Sequence, residues 1–325
     1  MALLDARTIR PDHDTARLTH AFVLTAGLGT RLRPLTDVRA KPAIPVAGEP
    51  MIRRITRWLA GHGVTDIVLN LHHLAATISG VVDDGSDLSA RVRYSWEQPR
   101  ILGTAGGPRQ ALPIVGASTF LLLNGDVLSD LDLAALAGAH RASGAQVTMA
   151  LVPNREPQRY SGVRLDDGGS VIGFAPAGHD GSYHFIGPQI VQSRAFAKLP
   201  AGQPARSIGG LYDEMIAAEP GSIRGFVSDA AYWDVGTVAD YWSTSWAFAA
   251  REGRSDVISG SRVTIAATAR VSRSILWDDI DVGPNAVLQE CVVTDGVRVP
   301  VGGRHRRAIL LRGRDGTLHS APLTL

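Results

Sequence analysis

The chain has 325 residues, of which 45% are hydrophobic and 20% charged, and its formal net charge is only +2. That balance suits a globular protein of one large or two smaller domains. Without a dense basic run it argues against nucleic-acid binding, although the pI near 8.9 is mildly basic. No apolar run reaches the roughly 18 residues needed to cross a bilayer, which argues against a membrane protein. Residues 1–20 carry charge and proline throughout, so they read as an N-terminal arm and not as a signal peptide. The single cysteine, Cys291, has no internal disulfide partner, which fits a cytoplasmic location.

After the arm, the apolar residues 21–24 predict a first strand, and residues 67–71, 120–123 and 146–152 predict others. Between them, residues 50–61 and 131–142 show helical spacing of apolar side chains. This alternation predicts βαβ units: an α/β, Rossmann-like, mostly parallel sheet flanked by helices over residues 21–250. In such sheets ligands bind beyond the carboxyl ends of the strands. The glycine loop after Leu24 and the Asn124-Gly125-Asp126 turn after Leu123 both fall at that edge, so two distant motifs share one cleft. Over residues 251–325 the pattern changes. Ile265, Val271 and Trp277 recur every six residues, as do Val282, Leu288 and Thr294 after a one-residue slip. Such units predict a short C-terminal left-handed β-helix, whose coils must stack on the main domain or on a second copy of the chain. Homo-oligomerisation through this tail is therefore one expectation.

The densest chemistry lies in Leu24-Thr25-Ala26-Gly27-Leu28-Gly29-Thr30-Arg31, with Lys41-Pro42 close behind. Glycines let a backbone approach a polyphosphate and aim its N–H groups inward, while Arg31 and Lys41 add cationic clamps. A Walker loop is excluded because no Gly-Lys-Ser/Thr follows. The dinucleotide fingerprint fails because Leu32 holds the position of the third small residue, and Glu49 sits in a loop-like Ala-Gly-Glu-Pro. What remains is a nucleoside triphosphate site. Asp126 and Asp234 are carboxylates suited to Mg²⁺, which prefers oxygen ligands. Their local alternatives are a helix N-cap for Asp126 and a turn residue for Asp234. Two carboxylates could also hydrolyse a glycoside, but that would leave the loop and both cations unused.

These residues carry a family resemblance. Gly27-Leu28-Gly29-Thr30-Arg31-Leu32, Lys41-Pro42, Pro45-Val46-Ala47-Gly48-Glu49-Pro50, Leu102-Gly103-Thr104-Ala105-Gly106-Gly107, Leu123-Asn124-Gly125-Asp126 and Trp233-Asp234-Val235-Gly236-Thr237 follow one another in family order. Over residues 20–248 the chain resembles the sugar-1-phosphate nucleotidyltransferases. The resemblance implies a Mg²⁺-dependent enzyme that joins a nucleoside triphosphate, GTP or UTP, to a sugar 1-phosphate and releases pyrophosphate. It implies catalytic roles for Arg31, Lys41 and Asp126, and metal binding by Asp126 and Asp234. Nucleotide binding falls to Leu24, Ala26, Gly27, Gly29, Thr30, Arg31, Glu97, Gln98, Gly103, Thr104 and Ala105, with the 103–107 loop along base and sugar. Sugar binding falls to Asn124, Gly125, Gly162 and Gly187.

The base stays open at this level. A carboxylate at Glu97 would accept the N–H donors of guanine, whereas an amide at Gln98 would suit uracil or thymine. The acceptor side departs from the family. The usual Glu-Lys-Pro reads Phe174-Ala175-Pro176, and the usual Asn-Ala-Gly reads Phe185-Ile186-Gly187. Arg155, Arg159 or Arg164 could replace the missing lysine. The 102–106 motif and the tail look most like GDP-mannose pyrophosphorylases, which points to GTP and a mannose- or heptose-like phosphate. The acceptor-side changes resemble N-acetylmuramate 1-phosphate uridylyltransferases and point to UTP and an amino-sugar phosphate. A catalytically weak, nucleotide-sugar-binding regulatory subunit is the alternative of another class.

Overall fold

A computed structural model describes residues 18–254 and 256–325. The expected N-terminal arm lies outside the described residues up to position 17. From Leu18 the chain enters a nine-stranded sheet. Four strands form its parallel core, in the spatial order Thr119–Asn124, His20–Leu24, Asp66–Leu71, Arg91–Trp96. The three inner strands are mostly apolar because helices cover both faces, as parallel sheets require, whereas Arg91–Trp96 at the edge carries arginines and is partly exposed. Beyond Thr119–Asn124 the pairing changes sense. The long strand Tyr183–Gln192 joins antiparallel and carries Val147–Pro153 and the hairpin Gly162–Leu165/Val171–Ala175 beside it. The parallel pattern thus holds for the half that carries the glycine loop, and the other half is a mixed extension.

The helices follow from local chemistry. In Met51–Gly61 the residues Met51, Ile52, Ile55, Thr56 and Leu59 are buried, a stripe with helical period. Leu133–Ser143 is capped by Asp132, whose carboxylate accepts from the amides of Ala134 (2.9 Å) and Ala135 (3.0 Å). Asp132, not Asp126, therefore fills the N-cap role. The segment read as a loop at 103–107 is instead the opening of the helix Gly103–Val115. It can be helical despite its glycines because Ala205 O accepts from Ala105 N (3.0 Å) and Gly106 N (3.2 Å), fixing the first turn from outside.

From Val257 onward short strands stack in parallel at a constant offset of 17 residues, such as Val257↔Ser274, Thr264↔Asp281 and Arg270↔Val287. Three sides of six, six and five residues make that offset and account for the slip in the sequence period. The result is the left-handed β-helix of hexapeptide type. Trp277, Val282, Leu288 and Thr294 are buried, whereas Ile265, in the first coil, is 39% exposed. The coils dock on the main sheet domain of the same chain, and their core is continuous with it.

Candidate active site

The first strand ends at Leu24, whose carbonyl accepts from Gly125 N (3.0 Å) at the end of the neighbouring strand. That contact brings the glycine loop and the Asn124-Gly125-Asp126 turn together. Only glycine fits at 125, since a Cβ there would stand 2.8 Å from both Leu24 O and Thr25 Cγ2. Gly29 adopts φ +62°, and its carbonyl accepts from Thr36 Oγ1 (3.0 Å). Leu32 and Leu35 are fully buried and anchor the loop, which leaves Arg31 exposed between them and the cleft. A Cβ on Gly236 would lie 3.6 Å from Arg31 Nη1 and 3.5 Å from Asp234 Oδ2, so Arg31 leans toward the Asp234-Val235-Gly236 segment.

Lys41 opens a 3₁₀ turn, Lys41–Ala43, with its side chain mostly buried. Its Nζ donates to Asp126 Oδ2 at 2.5 Å. Asp234 closes the strand Tyr232–Asp234, which pairs antiparallel with Val127–Ser129, and Val235 N donates to Asp126 O (3.1 Å). The two carboxylates are thus neighbours across a two-stranded ribbon. Burial holds the Asp234 carboxyl above the usual range, and the Asp126 charge pushes it the same way, against Lys41 and Arg31.

Two cavities flank this pair. One, of about 320 Å³, is lined by Leu24, Ala26, Gly27, Lys41, Asn124, Gly125 and Asp126 on one wall and by Gly103 and Thr104 on the other. The second, of about 530 Å³, is lined by Asp234 with Arg155, Arg159, Tyr160 and Tyr232. Arg159 pairs with Asp240 (2.5 Å) and lies over the Tyr160 ring, which packs on His184 at 4.1 Å between centroids. Of the three arginines weighed as replacements for the family lysine, Arg155 and Arg159 reach this cavity. Arg164 lies over Gly173 in the hairpin instead.

The remaining expected residues sort clearly. Thr30 is exposed at the rim, and Gly187 sits against Asn124 and Val127. Gly162 packs on Ser182 and Ala105 is buried in the first helical turn, so neither lines a cavity. Gln98 is exposed and outside both cavities. Glu97 is fully buried: Oε1 accepts from Asn70 Nδ2 and Oε2 from Leu102 N, each at 2.7 Å. Asn70 Oδ1 in turn accepts from Thr25 N (2.5 Å) and Ala26 N (3.3 Å). Glu97 therefore organises the loop entrance through Asn70, a residue the sequence reading missed. Its signal was there: a single amide inside the otherwise apolar strand Asp66–Leu71.

Fold and site together define a phosphate-handling α/β enzyme with an appended β-helix. The profile of the nucleotidyl transferase family matches residues 20–251, and that of the GlmU-like C-terminal hexapeptide matches residues 252–305. The chain belongs to the nucleotidyl transferase family and is an enzyme of the sugar-1-phosphate nucleotidyltransferase type. It is 30% identical over 295 residues to the mannose-1-phosphate guanylyltransferase of Mycobacterium tuberculosis, covering 87% of this chain and 81% of that one. It is 45% identical over 115 residues to the N-acetylmuramate alpha-1-phosphate uridylyltransferase of Neisseria meningitidis, covering 35% of this chain and 50% of that one. In fold it is similar to the crystal structure of HddC from Yersinia pseudotuberculosis complexed with GMP-PN. The TM-score is 0.62 at 24% identity, over 71% of this chain and 100% of that one. Among the described residues no helix is long and apolar enough to cross a membrane.

Proposed function

We propose that the chain transfers a nucleotidyl group from GTP to a mannose- or heptose-like 1-phosphate, releasing pyrophosphate, in the cytoplasm. The observation that carries this reading is the Lys41–Asp126–Asp234 cluster between two cavities, one rimmed by the glycine loop and one by arginines and tyrosines. The acceptor phosphate is already an anionic nucleophile, so no activating base is required. Its oxygen attacks the α-phosphorus, a new P–O bond forms, and the bond to the pyrophosphate oxygen breaks with its electron pair leaving on pyrophosphate. Catalysis then rests on alignment and on neutralising charge. Lys41 faces the α-phosphate, and Arg31 with the loop amides of 26–30 holds the β- and γ-phosphates.

Enzymes of this family generally use a divalent metal. Asp126 and Asp234 fit one: they are adjacent, oxygen-only donors, and burial, with a further push from the Asp126 charge, raises the Asp234 pKa. Mg²⁺ held there would neutralise phosphate charge. Among the described residues no group of three or more His, Cys, Asp or Glu side chains could hold a metal, so phosphates and water would complete its shell.

The relative from Mycobacterium tuberculosis, matched over most of both chains, supports the guanylyl reading. The higher identity to the Neisseria meningitidis protein over 115 residues supports a second reading, UTP with an amino-sugar phosphate such as N-acetylmuramate 1-phosphate. Pyrophosphate release measured with Mg²⁺, crossing GTP, UTP, dTTP, CTP and ATP against mannose, heptose, glucose and N-acetylmuramate 1-phosphates, tests both. Turnover confined to GTP with a manno-configured phosphate supports the first. Turnover confined to UTP with the amino sugar replaces it with the second. Nucleotide-sugar binding without turnover by any pair would sink both.

A further inference from the structure

We propose that Arg39 is a positioning residue through which the C-terminal β-helix holds Lys41 in the cleft; the catalytic half of this inference rests on the role given to Lys41 above. Arg39 is 7% exposed, lies two residues before Lys41, and points away from the cleft into the docked coils. There its guanidinium grips two stacked carboxylates. Nε donates to Asp295 Oδ2 (2.6 Å), and Nη2 donates to Asp295 Oδ1 (2.7 Å) and Asp278 Oδ2 (2.6 Å). Asp278 and Asp295 are 17 residues apart, so they occupy equivalent places in successive coils. Two such charges repel each other unless a cation sits between them.

The same guanidinium also returns to the active-site turn. Its Nη1 donates to Ala43 O (3.3 Å), the last residue of the turn that Lys41 opens. Inside that turn Ala43 N bonds Ala40 O (2.8 Å) and Ile44 N bonds Lys41 O (3.2 Å). Arg39 thus ties both ends of a three-residue turn to a rigid stack of coils, and Lys41 projects from it. A bidentate arginine fixes orientation as well as charge, which a point-charge lysine does not.

The neighbouring coil residue reaches the other wall of the site. The Trp277 ring lies 5.5 Å from the Arg39 guanidinium and is fully buried, and its Nε1 donates to Tyr241 Oη (2.9 Å). Tyr241 is on the helix Val238–Arg251, which begins just after Asp234-Val235-Gly236-Thr237. Residues 277 and 278 of the β-helix therefore touch Arg39, which precedes the turn that carries Lys41, and the helix that follows the Asp234 segment. Docking does not depend on Arg39 alone, because the apolar core shared by the coils and the sheet domain remains without it.

The test uses full-length Arg39→Met, Arg39→Lys, Lys41→Met and the Arg39/Lys41 double methionine variant. Amide exchange needs no substrate. In Arg39→Met the amides of Ala43 and Ile44 should exchange at least tenfold faster, with those of the helix Met51–Gly61 unchanged. Unchanged exchange in the turn, or a uniform rise in both segments, would overturn the proposal. Turnover is then followed with radiolabelled GTP plus mannose 1-phosphate and UTP plus N-acetylmuramate 1-phosphate, so that slow variants are measurable. Arg39→Met should lower kcat at least tenfold in the parent and less than twofold in the Lys41→Met background. Equal losses in both backgrounds, or full kcat in Arg39→Lys, would make Arg39 a docking contact only and refute the positioning role. Near-parental kcat in Lys41→Met would instead refute the role of Lys41, with the exchange result standing separately. Should Arg39→Met fail to fold, adding Asp278→Asn and Asp295→Asn removes the unpaired charges, and the same exchange pattern is expected.

Discussion

Replacing Glu97 with Gln separates two roles that this residue could have beside the glycine-loop cavity. The carboxylate accepts from Asn70 Nδ2 and Leu102 N, one oxygen each, in a fully buried position. A glutamine of nearly the same shape supplies one acceptor and one NH₂ group. Whichever way its amide turns, the NH₂ meets a donor, leaving two buried donors without acceptors. Each such orphan costs about 1–3 kcal/mol, so the loss is about 2 kcal/mol or more. For a chain of 325 residues, with an unfolding entropy of about 2.1 cal/mol/K per residue, that lowers Tm by about 3 °C or more. The displacement passes to Asn70, which orients the amides of Thr25 and Ala26, so kcat/KM should fall by similar factors for GTP and UTP. Differential scanning fluorimetry and pyrophosphate release with both nucleotides measure the two effects. An unchanged Tm together with a tenfold change in the GTP-to-UTP preference would refute this reasoning and make Glu97 a reader of the base.

Other outcomes follow from the same geometry. Asp234→Asn should remove most turnover yet raise Tm at pH 7. Its folded pKa lies above the unfolded value, so the ionised carboxylate costs stability once the pH passes that raised pKa. The Tm gain of the variant should vanish at about pH 4 and below, near the unfolded pKa; a lower Tm at pH 7 would contradict the assignment. Burial, with a smaller push from Arg159, brings the His184 imidazole down to about 4. The unfolded chain therefore takes up a proton from about pH 6.5 downward while the folded one does not. Stability should fall as pH drops from about 6.5 to 4, and His184→Phe should flatten that part of the Tm profile. Gly125→Ala forces a methyl against the Leu24 carbonyl, which is backbone and cannot swing away. A stability loss of about 1–3 kcal/mol is expected, with turnover reduced more than tenfold because Asp126 is the next residue; normal turnover would show that the turn can move freely.

Much of the candidate site was legible in the chain because its parts are local. Gly27, Gly29 and Arg31 lie within five positions behind an apolar strand, and Asp126 follows another such strand by two positions. Parallel strands bring their carboxyl ends to one edge, so topology alone places those two motifs together. The β-helix was legible for the same reason: its six-residue period is printed along the chain, and the slip between Trp277 and Val282 is the short side of a 17-residue coil.

What the sequence by itself determined, then, is whatever a short window or a strand-end rule can encode: the loop, the acidic turns, the helical stripes and the coil repeat. Only the tertiary structure decided where side chains with distant partners point. Glu97 turned inward because Asn70, on the adjacent parallel strand, offered it a buried donor. The run at 103–107 became helix because Ala205, about a hundred residues away, capped it. Arg39 reads as one more surface charge in a loop until Asp278 and Asp295 are stacked beside it. A buried polar group must find its partner wherever the fold places one, and no local pattern names a partner 27, 100 or 256 positions away.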